Sequence, residues 1–289
     1  MSDIQILAPA KVNLGLKVLP KRADGFHNIE SIFQTVRLYD VLTVRQTDRK
    51  NTCEVFAPGF SDLPTENTLT KTYRAFCSLT GCSSGVTVTL EKNIPSGGGL
   101  GGGSSDAAYF LKVLSKINGI ELKKELADGV ASLVGSDVFF FLHSGAEKDR
   151  SGCAVVTGRG EFVRQILPRN DLFFLLVFPG VHSSTKEAYE LVDKTYEAGG
   201  ETDCPSLADL EAVYRSPVKD WTFANSFTSA LLQKYPKIGL ALRDVKNSGA
   251  LWSDMTGSGA TVFGVFEKKQ DAEKAYSLLK KSWPLCVIA

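Results

Sequence analysis

The sequence predicts a mixed α/β protein of two domains, with an anion-binding site where they meet. Three observations carry this reading. Val86 to Leu90 reads VTVTL, an alternating β-branched run, while Ala107, Phe110, Leu111, Leu114 and Ile117 recur at helical spacing before Asn118 and Gly119. Between strand and helix, six of the seven residues from Gly97 to Gly103 are glycine. A second glycine turn, Met255-Thr256-Gly257-Ser258-Gly259-Ala260, stands in the other half. Two such loops in different halves place a site at a domain junction.

Glycine on this scale is costly in conformational entropy and suits backbone that approaches a ligand closely or adopts positive φ. A strand, a glycine loop and a helix start together make an anion site, because unpaired amides of the first helical turn converge on phosphate oxygens and the macrodipole adds to the attraction. Ser104, Ser105 and Asp106 are good helix-capping types, and the serine hydroxyls supply further donors. The loop ends Gly103-Ser104-Ser105, without the lysine of a Walker loop. Gly97, Gly99 and Gly102 satisfy G-x-G-x-x-G, but the second strand that a dinucleotide fold requires is missing, since Leu122 to Val134, beside Glu121, is helix-like. A flexible linker is the plain alternative, and its flanking strand and capped helix argue against it.

Taken in order, Ile4 to Leu19 reads as a strand pair or bent strand. Within it Lys11 and Asn13 alternate with Val12 and Leu14, so both polar side chains share one face, as a polar surface edge or as part of a site. Lys21 to Glu30 has turn chemistry at Asp24-Gly25, followed by Phe26 and His27, which either present a planar surface to a ligand or close an ordinary hairpin. Strands are expected at Ser31 to Leu38 and Asp40 to Gln46, an irregular stretch from Thr47 to Glu66, and an amphipathic helix from Asn67 to Leu79. Asp137 stands at the mouth of an apolar run, where capping or turn formation is the ordinary job of an aspartate. Gly158-Arg159-Gly160-Glu161 marks a turn, and the domain boundary falls between Glu161 and Asp171. The second half opens with an apolar strand from Asp171 to Pro179 and a helix starting at Thr185. Helices are expected near Ser206 to Tyr214, Thr222 to Tyr235 and Ile238 to Asn247, then a strand from Ala260 to Phe266 and a helix from Lys269 to Lys281.

The whole-chain properties narrow the partners. With 289 residues there is material for two cores, and a net charge of +1 creates no general field for nucleic acid or an anionic membrane. Apolar runs such as Leu172 to Phe178 are far shorter than the ~20 residues that span a bilayer. The first residues, MSDIQILAPAKVNLGL, resemble neither a signal nor a transit peptide, so a cytoplasmic protein is expected. Six cysteines without a C-x-x-C pair and three histidines, among them His143, support neither a zinc site nor a disulfide framework.

Pro9-Ala10-Lys11-Val12-Asn13-Leu14, the Pro95 to Ala108 loop and Met255 to Ala260 together resemble, in order and spacing, the three signature motifs of the GHMP small-molecule kinases. Arg22-Ala23-Asp24-Gly25-Phe26-His27, Gly135-Ser136-Asp137-Val138 and Gly158-Arg159-Gly160-Glu161 resemble the branch of that superfamily that acts on a cytidylylated alcohol. The resemblance implies a GHMP fold, with an N-terminal α/β domain over residues 1–165, a ferredoxin-like C-terminal domain over 166–289 and the active site in the cleft between them. It implies ATP-dependent transfer to the 2-hydroxyl of a cytidine-diphosphate-linked methylerythritol, in the non-mevalonate route to isoprenoids, with Mg²⁺ arriving on ATP and its protein ligands left open. In that scheme Asp137 is the base, Lys11 its partner, and Asn13 helps hold the acceptor alcohol. Phe26 and Tyr189 sandwich the cytosine while His27 reads its edge. Pro95, Ser96, Gly97, Gly98, Gly99, Leu100, Gly101, Gly102, Gly103, Ser104 and Ser105 hold the ATP phosphates, and Asn67 and Lys92 lie along the nucleotide. The partner is a small molecule, and no nucleic acid, membrane or protein partner is implied.

The sequence also departs from the family pattern. Phe26 replaces a usual tyrosine, Phe139 a usual proline, and Asp254 a basic or neutral residue; the segment from His143 to Thr157 is longer, with Glu147-Lys148-Asp149-Arg150 inserted. These changes bear on substrate affinity and on the surroundings of Asp137. Another GHMP kinase, acting on homoserine, mevalonate or a sugar, leaves the aromatic turn and Tyr189 unexplained. A catalytically silent nucleotide sensor on the same fold is the reading of a different class, and the presence of both Lys11 and Asp137 speaks against it.

Overall fold

The computed structural model describes residues 3–60, 63–146, 151–283 and 285–289. The Glu147 to Arg150 insertion lies outside them. The first half is built on β1 (Ile4–Lys21) and β2 (His27–Thr47), an antiparallel pair joined by the turn at Asp24-Gly25. The segments read separately as Ser31 to Leu38 and Asp40 to Gln46 form one strand of 21 residues. It stays continuous because the register shifts between Pro9 and Ala10 place the extra residues in a bulge, where a proline without an N–H is tolerated.

β3 (Cys53–Phe56) lies inside the stretch expected to be irregular and runs parallel to β4 (Gly85–Glu91). Four residues with only every other one partly covered leave too little pattern to distinguish such an edge strand from a loop. β5 (Cys153–Gly158) and β6 (Phe162–Gln165) complete a six-stranded sheet in the order β3-β4-β2-β5-β6, with β1 alongside β2. α1 (Thr68–Thr80), α2 (Gly102–Ile117), α3 (Lys124–Val134) and α4 (Ser136–His143) pack on one another, and α2 also meets β1 and β2.

The second sheet is antiparallel, in the order β10-β7-β9-β8, from β7 (Phe173–Val177), β8 (Trp252–Met255), β9 (Val262–Phe266) and β10 (Cys286–Ile288). Between β7 and β8 lie α5 (Thr185–Glu197), α6 (Leu210–Arg215), α7 (Ser226–Leu232) and α8 (Pro236–Asn247), and α9 (Lys269–Leu279) precedes β10. Short β8 and β10 escaped the sequence reading because they follow a glycine turn and a proline, which read as loop.

Both buried apolar clusters draw on both halves: one joins Phe33, Phe76 and Phe110 to Val177 and Phe227, the other Leu14 and Ile32 to Phe174 and Phe263. β1 is also tied directly to the second half, with Leu16 N–H donating to Ala224 O at 2.8 Å and Val18 N–H to Ser226 Oγ at 3.0 Å. The two halves are thus held together by shared core and by hydrogen bonds from the β1 backbone.

Candidate active site

The glycine loop is the floor of the cleft. Helix α2 begins inside the glycines, at Gly102 with Gly101 as N-cap at φ 70°, rather than at the serines and aspartate that the sequence offered as caps. Glycine caps it because a side chain at 101 would meet Phe141 and Lys11 at 3.0–3.1 Å and φ is positive. Gly99 is more demanding: φ is +77° and a Cβ would stand 2.1 Å from the Thr256 carbonyl oxygen. The loop is tethered by Lys11 N–H to Leu100 O (3.0 Å) and Thr261 N–H to Gly98 O (3.3 Å), and Gly99 packs against Thr256, whose Oγ1 stands 3.3 Å from Gly99 O. Residues Pro95 to Ser104, with the N-terminus of a 16-residue helix, therefore line the cleft in a fixed arrangement suited to phosphate oxygens.

Lys11 and Asn13 do share a face of β1, and that face is buried rather than a surface edge: 3% and 1% of their surfaces are exposed. Lys11 Nζ donates to Asn13 Oδ1 at 2.7 Å, lies 3.5 Å from Asp137 Oδ2, and sits 4.8 Å above the Phe33 ring. Burial pulls the Lys11 ammonium below its ordinary range, and the Asp137 carboxylate offsets part of that. Asp137 is in the first turn of α4, where an acid meets the positive end of the helix, and the helix's N-cap, Gly135, has no side chain to cap it. α4 is pinned by Phe140 and Phe141 in the core, Phe140 packing edge-on to Phe33 at 5.3 Å. Phe139, where the family pattern has proline, lies within α4 and packs on the same core.

At the other end, Phe26 presents a ring that is 53% exposed, with the Arg159 guanidinium 4.8 Å above it. His27 is buried, stacked on Tyr189 at 5.0 Å and 25°, with Nδ1 2.8 Å from Leu19 O and Nε2 3.3 Å from Asp193. Both ring nitrogens of His27 are thus engaged within the protein. Tyr189 also meets Phe227 edge-on at 4.9 Å, and burial, with the nearby Asp137 charge second, pushes its hydroxyl up to about 12.

Lys92 is held by two carboxylates, Asp40 and Asp106, the latter at 3.1 Å. Burial raises Asp106, with the Lys92 ammonium working against it and the Asp40 charge adding to the rise. Asn67 caps α1, its Oδ1 accepting from Leu69 N–H and Thr70 N–H, and its Nδ2 donates to Pro64 O.

One cleft of about 1350 Å³ gathers these groups: Lys11, Asn13, Phe26, His27, Asn67, Lys92, Pro95 to Ser104, Asp137 and Tyr189 all line it. Ser105 is the exception. It is fully buried behind the loop, because α2 starts early enough to turn that position toward the core. The sequence reading did not assign roles to Asp193, Arg159 or Thr256. Asp193 lies one helical turn after Tyr189, a spacing that marks a shared face; Arg159 and Thr256 sat within motifs already noted, and Asp40 carried no local signal at all. Asp254 is buried away from the cleft lining, accepting from Thr228 Oγ1 at 2.6 Å and Met255 N–H at 2.7 Å.

Comparison with known proteins bears on this geometry. Residues 67–145 match the GHMP kinases N terminal domain and residues 211–285 the GHMP kinases C terminal domain. A 4-diphosphocytidyl-2-C-methyl-D-erythritol kinase from Treponema pallidum (strain Nichols) is 40% identical, with 99% of this chain and 98% of that protein covered. One from Thermotoga maritima is 39% identical over 91% of this chain and 92% of its own. A crystal structure of 4-(cytidine 5'-diphospho)-2C-methyl-D-erythritol kinase superposes with a TM-score of 0.78 at 30% identity, covering 99% and 98% of the two chains. A homoserine kinase from Cytophaga hutchinsonii, at TM-score 0.69 and 18% identity, shares the fold.

Proposed function

The chain belongs to the GHMP kinases and, within them, to the 4-diphosphocytidyl-2-C-methyl-D-erythritol kinases, and from that premise we propose that Asp137, Lys11 and Asn13 carry the transfer in the cleft described above. The reaction is ATP-dependent phosphorylation of the 2-hydroxyl of 4-diphosphocytidyl-2-C-methyl-D-erythritol, giving the 2-phosphate and ADP in non-mevalonate isoprenoid precursor synthesis. The observation that carries the residue assignment is the buried Lys11 between Asn13 at 2.7 Å and Asp137 at 3.5 Å, directly beside the glycine loop.

An alkyl hydroxyl is a weak nucleophile, so Asp137 orients it and takes its proton as the bond to phosphorus forms. Lys11, already desolvated, stabilises negative charge on the transferring oxygens without reorganising. Asn13 holds the acceptor. The loop amides from Ser96 to Ser104 bind the phosphates, and positioning with charge neutralisation is most of what phosphoryl transfer asks. Magnesium accompanies ATP in this reading: the Ser104 hydroxyl, a hard oxygen donor lining the cleft, fits as its protein ligand, and the ion neutralises phosphate charge when bound. Among the described residues no cluster of three or more His, Cys, Asp or Glu side chains stands ready to hold it instead.

Phe26 and Tyr189 enclose the cytosine, with His27 bordering its edge while Leu19 and Asp193 fix its ring. Asn67 shapes the nucleotide side of the cleft through its cap on α1, and Lys92 through its tie to α2 by way of Asp106. The division into residues 1–165 and 166–289 follows the last strand of the first sheet and the first of the second. The partner is a small molecule and the setting the cytoplasm; among the described residues no helix is long and apolar enough to cross a membrane. The test is ATP consumption with Mg²⁺ and 4-diphosphocytidyl-methylerythritol, homoserine, mevalonate or galactose. Turnover confined to the cytidylylated alcohol is expected; turnover of another alcohol in its place overturns the cytosine pocket.

A further inference from the structure

We infer that Thr256, contributed by the second half of the chain, is a positioning residue that fixes the Asn13 amide so that Asn13 meets the acceptor alcohol only as a hydrogen-bond donor. The inference rests on the reading of Asn13 as an acceptor-binding residue. A side-chain amide has an accepting end and a donating end, and its neighbours decide which one faces a ligand. Here Asn13 Oδ1 accepts from Lys11 Nζ at 2.7 Å and from Thr256 Oγ1 at 3.1 Å, while Nδ2 is buried and has no hydrogen-bond partner. Reversing the amide would set its NH₂ against the Lys11 ammonium, donor against donor.

Lys11 alone does not hold the amide plane, because its charge is shared with Asp137. Thr256 does so through a second bond, and the same hydroxyl accepts the Asn13 backbone N–H at 3.1 Å, so one fully buried side chain grips both backbone and side chain of Asn13. The contact spans 243 residues of sequence and joins the second glycine turn to β1, so the amide is in place only when the two halves are docked. Asn13 is part of the cleft lining, and its unpartnered buried NH₂ group costs free energy until a ligand oxygen that displaces its covering takes it up. The donor therefore falls on an oxygen lone pair of the acceptor, which leaves the hydroxyl proton for Asp137. Sequence spacing could not reveal the pairing, although Thr256 lay in a motif already noted.

The rival use of the same hydroxyl is the 3.3 Å contact with Gly99 O, which would serve the phosphate loop. Steady-state kinetics on the full chain separate the two. Thr256→Val is expected to raise the KM for the alcohol roughly 5- to 10-fold, the usual worth of one hydrogen bond, with the KM for ATP within about twofold. Thr256→Ser is expected to restore both to within about twofold, and Thr256→Val is expected to add nothing in an Asn13→Ala background. A rise in the ATP constant equal to or larger than that for the alcohol, a serine variant as poor as the valine one, or additive effects with Asn13→Ala would overturn the proposal. If the valine variant does not fold, Thr256→Ala is read against Thr256→Ser in the same way. Wild-type turnover is measured first. If it selects a different alcohol the substrate assignment falls while the Thr256 series still runs on that alcohol, and no turnover with any alcohol overturns both.

Discussion

Replacing Asp137 by Asn keeps the shape, removes the charge and exchanges one accepting oxygen for a donating NH₂, which makes it the sharpest probe of the site. Loss of a general base lowers turnover by roughly 10²- to 10⁴-fold, about 3 to 5 kcal/mol of barrier, with the KM for ATP largely kept because the loop amides are untouched. The same change strips Lys11 of its counter-charge. At 3.5 Å and an effective dielectric of 20 the pair is worth at most about 5 kcal/mol, but Asp137 is 32% exposed and solvent screens it, so about 1–2 kcal/mol of stability is the expected loss. Its pH dependence follows from Lys11. Burial already holds that ammonium below its ordinary range and Asp137 opposes the shift, so the variant moves it further down. The unfolded chain then binds the proton more tightly than the folded one, and stability rises with pH. Urea unfolding at pH 6 and pH 9 should therefore show a deficit relative to wild type that is larger at pH 6. Unchanged turnover would remove Asp137 from the mechanism, and a deficit independent of pH would mean that Lys11 does not depend on Asp137 for its charge.

The other perturbations address separate parts of the molecule. Phe26→Ala should weaken the cytidylylated acceptor by ~0.5–1.5 kcal/mol, seen as a raised KM for that substrate alone; a change in the ATP constant instead would misplace the turn. Gly99→Ala forces a Cβ toward Thr256 O at φ +77°, costing ~1–2 kcal/mol from the backbone alone, and a loss of ~10-fold or more in kcat/KM for ATP is expected. Normal ATP kinetics in that variant would show that the loop tolerates displacement. Asp254→Asn tests a buried acid whose carboxyl burial pushes up to about 6 from 3.8, against the hydrogen bonds from Thr228 and Met255. A raised folded value gives stability that is present below pH 4 and lost as pH climbs through 6, about 3 kcal/mol in all, so the variant should match wild type near pH 4 and exceed it by up to that amount at pH 8. Parallel stability curves would mean the carboxylate is solvated.

What could be read from the sequence was whatever repeats locally. β4, α1 and the run from Gly97 to Ile117 announced themselves by alternation, helical spacing and glycine content, and Lys11 with Asn13 by their spacing of two. The start of α2 was misplaced because residue type favoured the serines, whereas the close approach of Phe141 and Lys11 demanded glycine at the cap. β3, β8 and β10 are three or four residues long, below the length at which a period can be recognised. The partners of Lys92 and His27 were hidden for a different reason. Asp40 lies 52 residues from Lys92, and Asp193 is on a helix of the other half, so no window of sequence contains either pair.

That distance explains how a segment so rich in glycine can be ordered at all. Fixing six glycines costs more backbone entropy than fixing other residues, roughly 0.5–1 kcal/mol each relative to alanine. Nothing within the loop offsets it, since glycine brings no side chain to bury. The offsetting contacts come from outside: β1 reaches Leu100, the second glycine turn packs closely on Gly99, and Thr261 reaches Gly98, while Leu100 itself is buried as the loop's single apolar anchor. Two of these tethers belong to the second half of the chain. The ordering of the phosphate loop therefore depends on the halves being docked, and the motifs at residues 9–14, 95–108 and 255–260 occur together because the first and the last each supply the middle one with contacts that it cannot make within itself. A loop ordered in this way before ATP arrives presents its amides without a further entropic cost on binding, which is what placing charge stabilisation ahead of the chemical step requires.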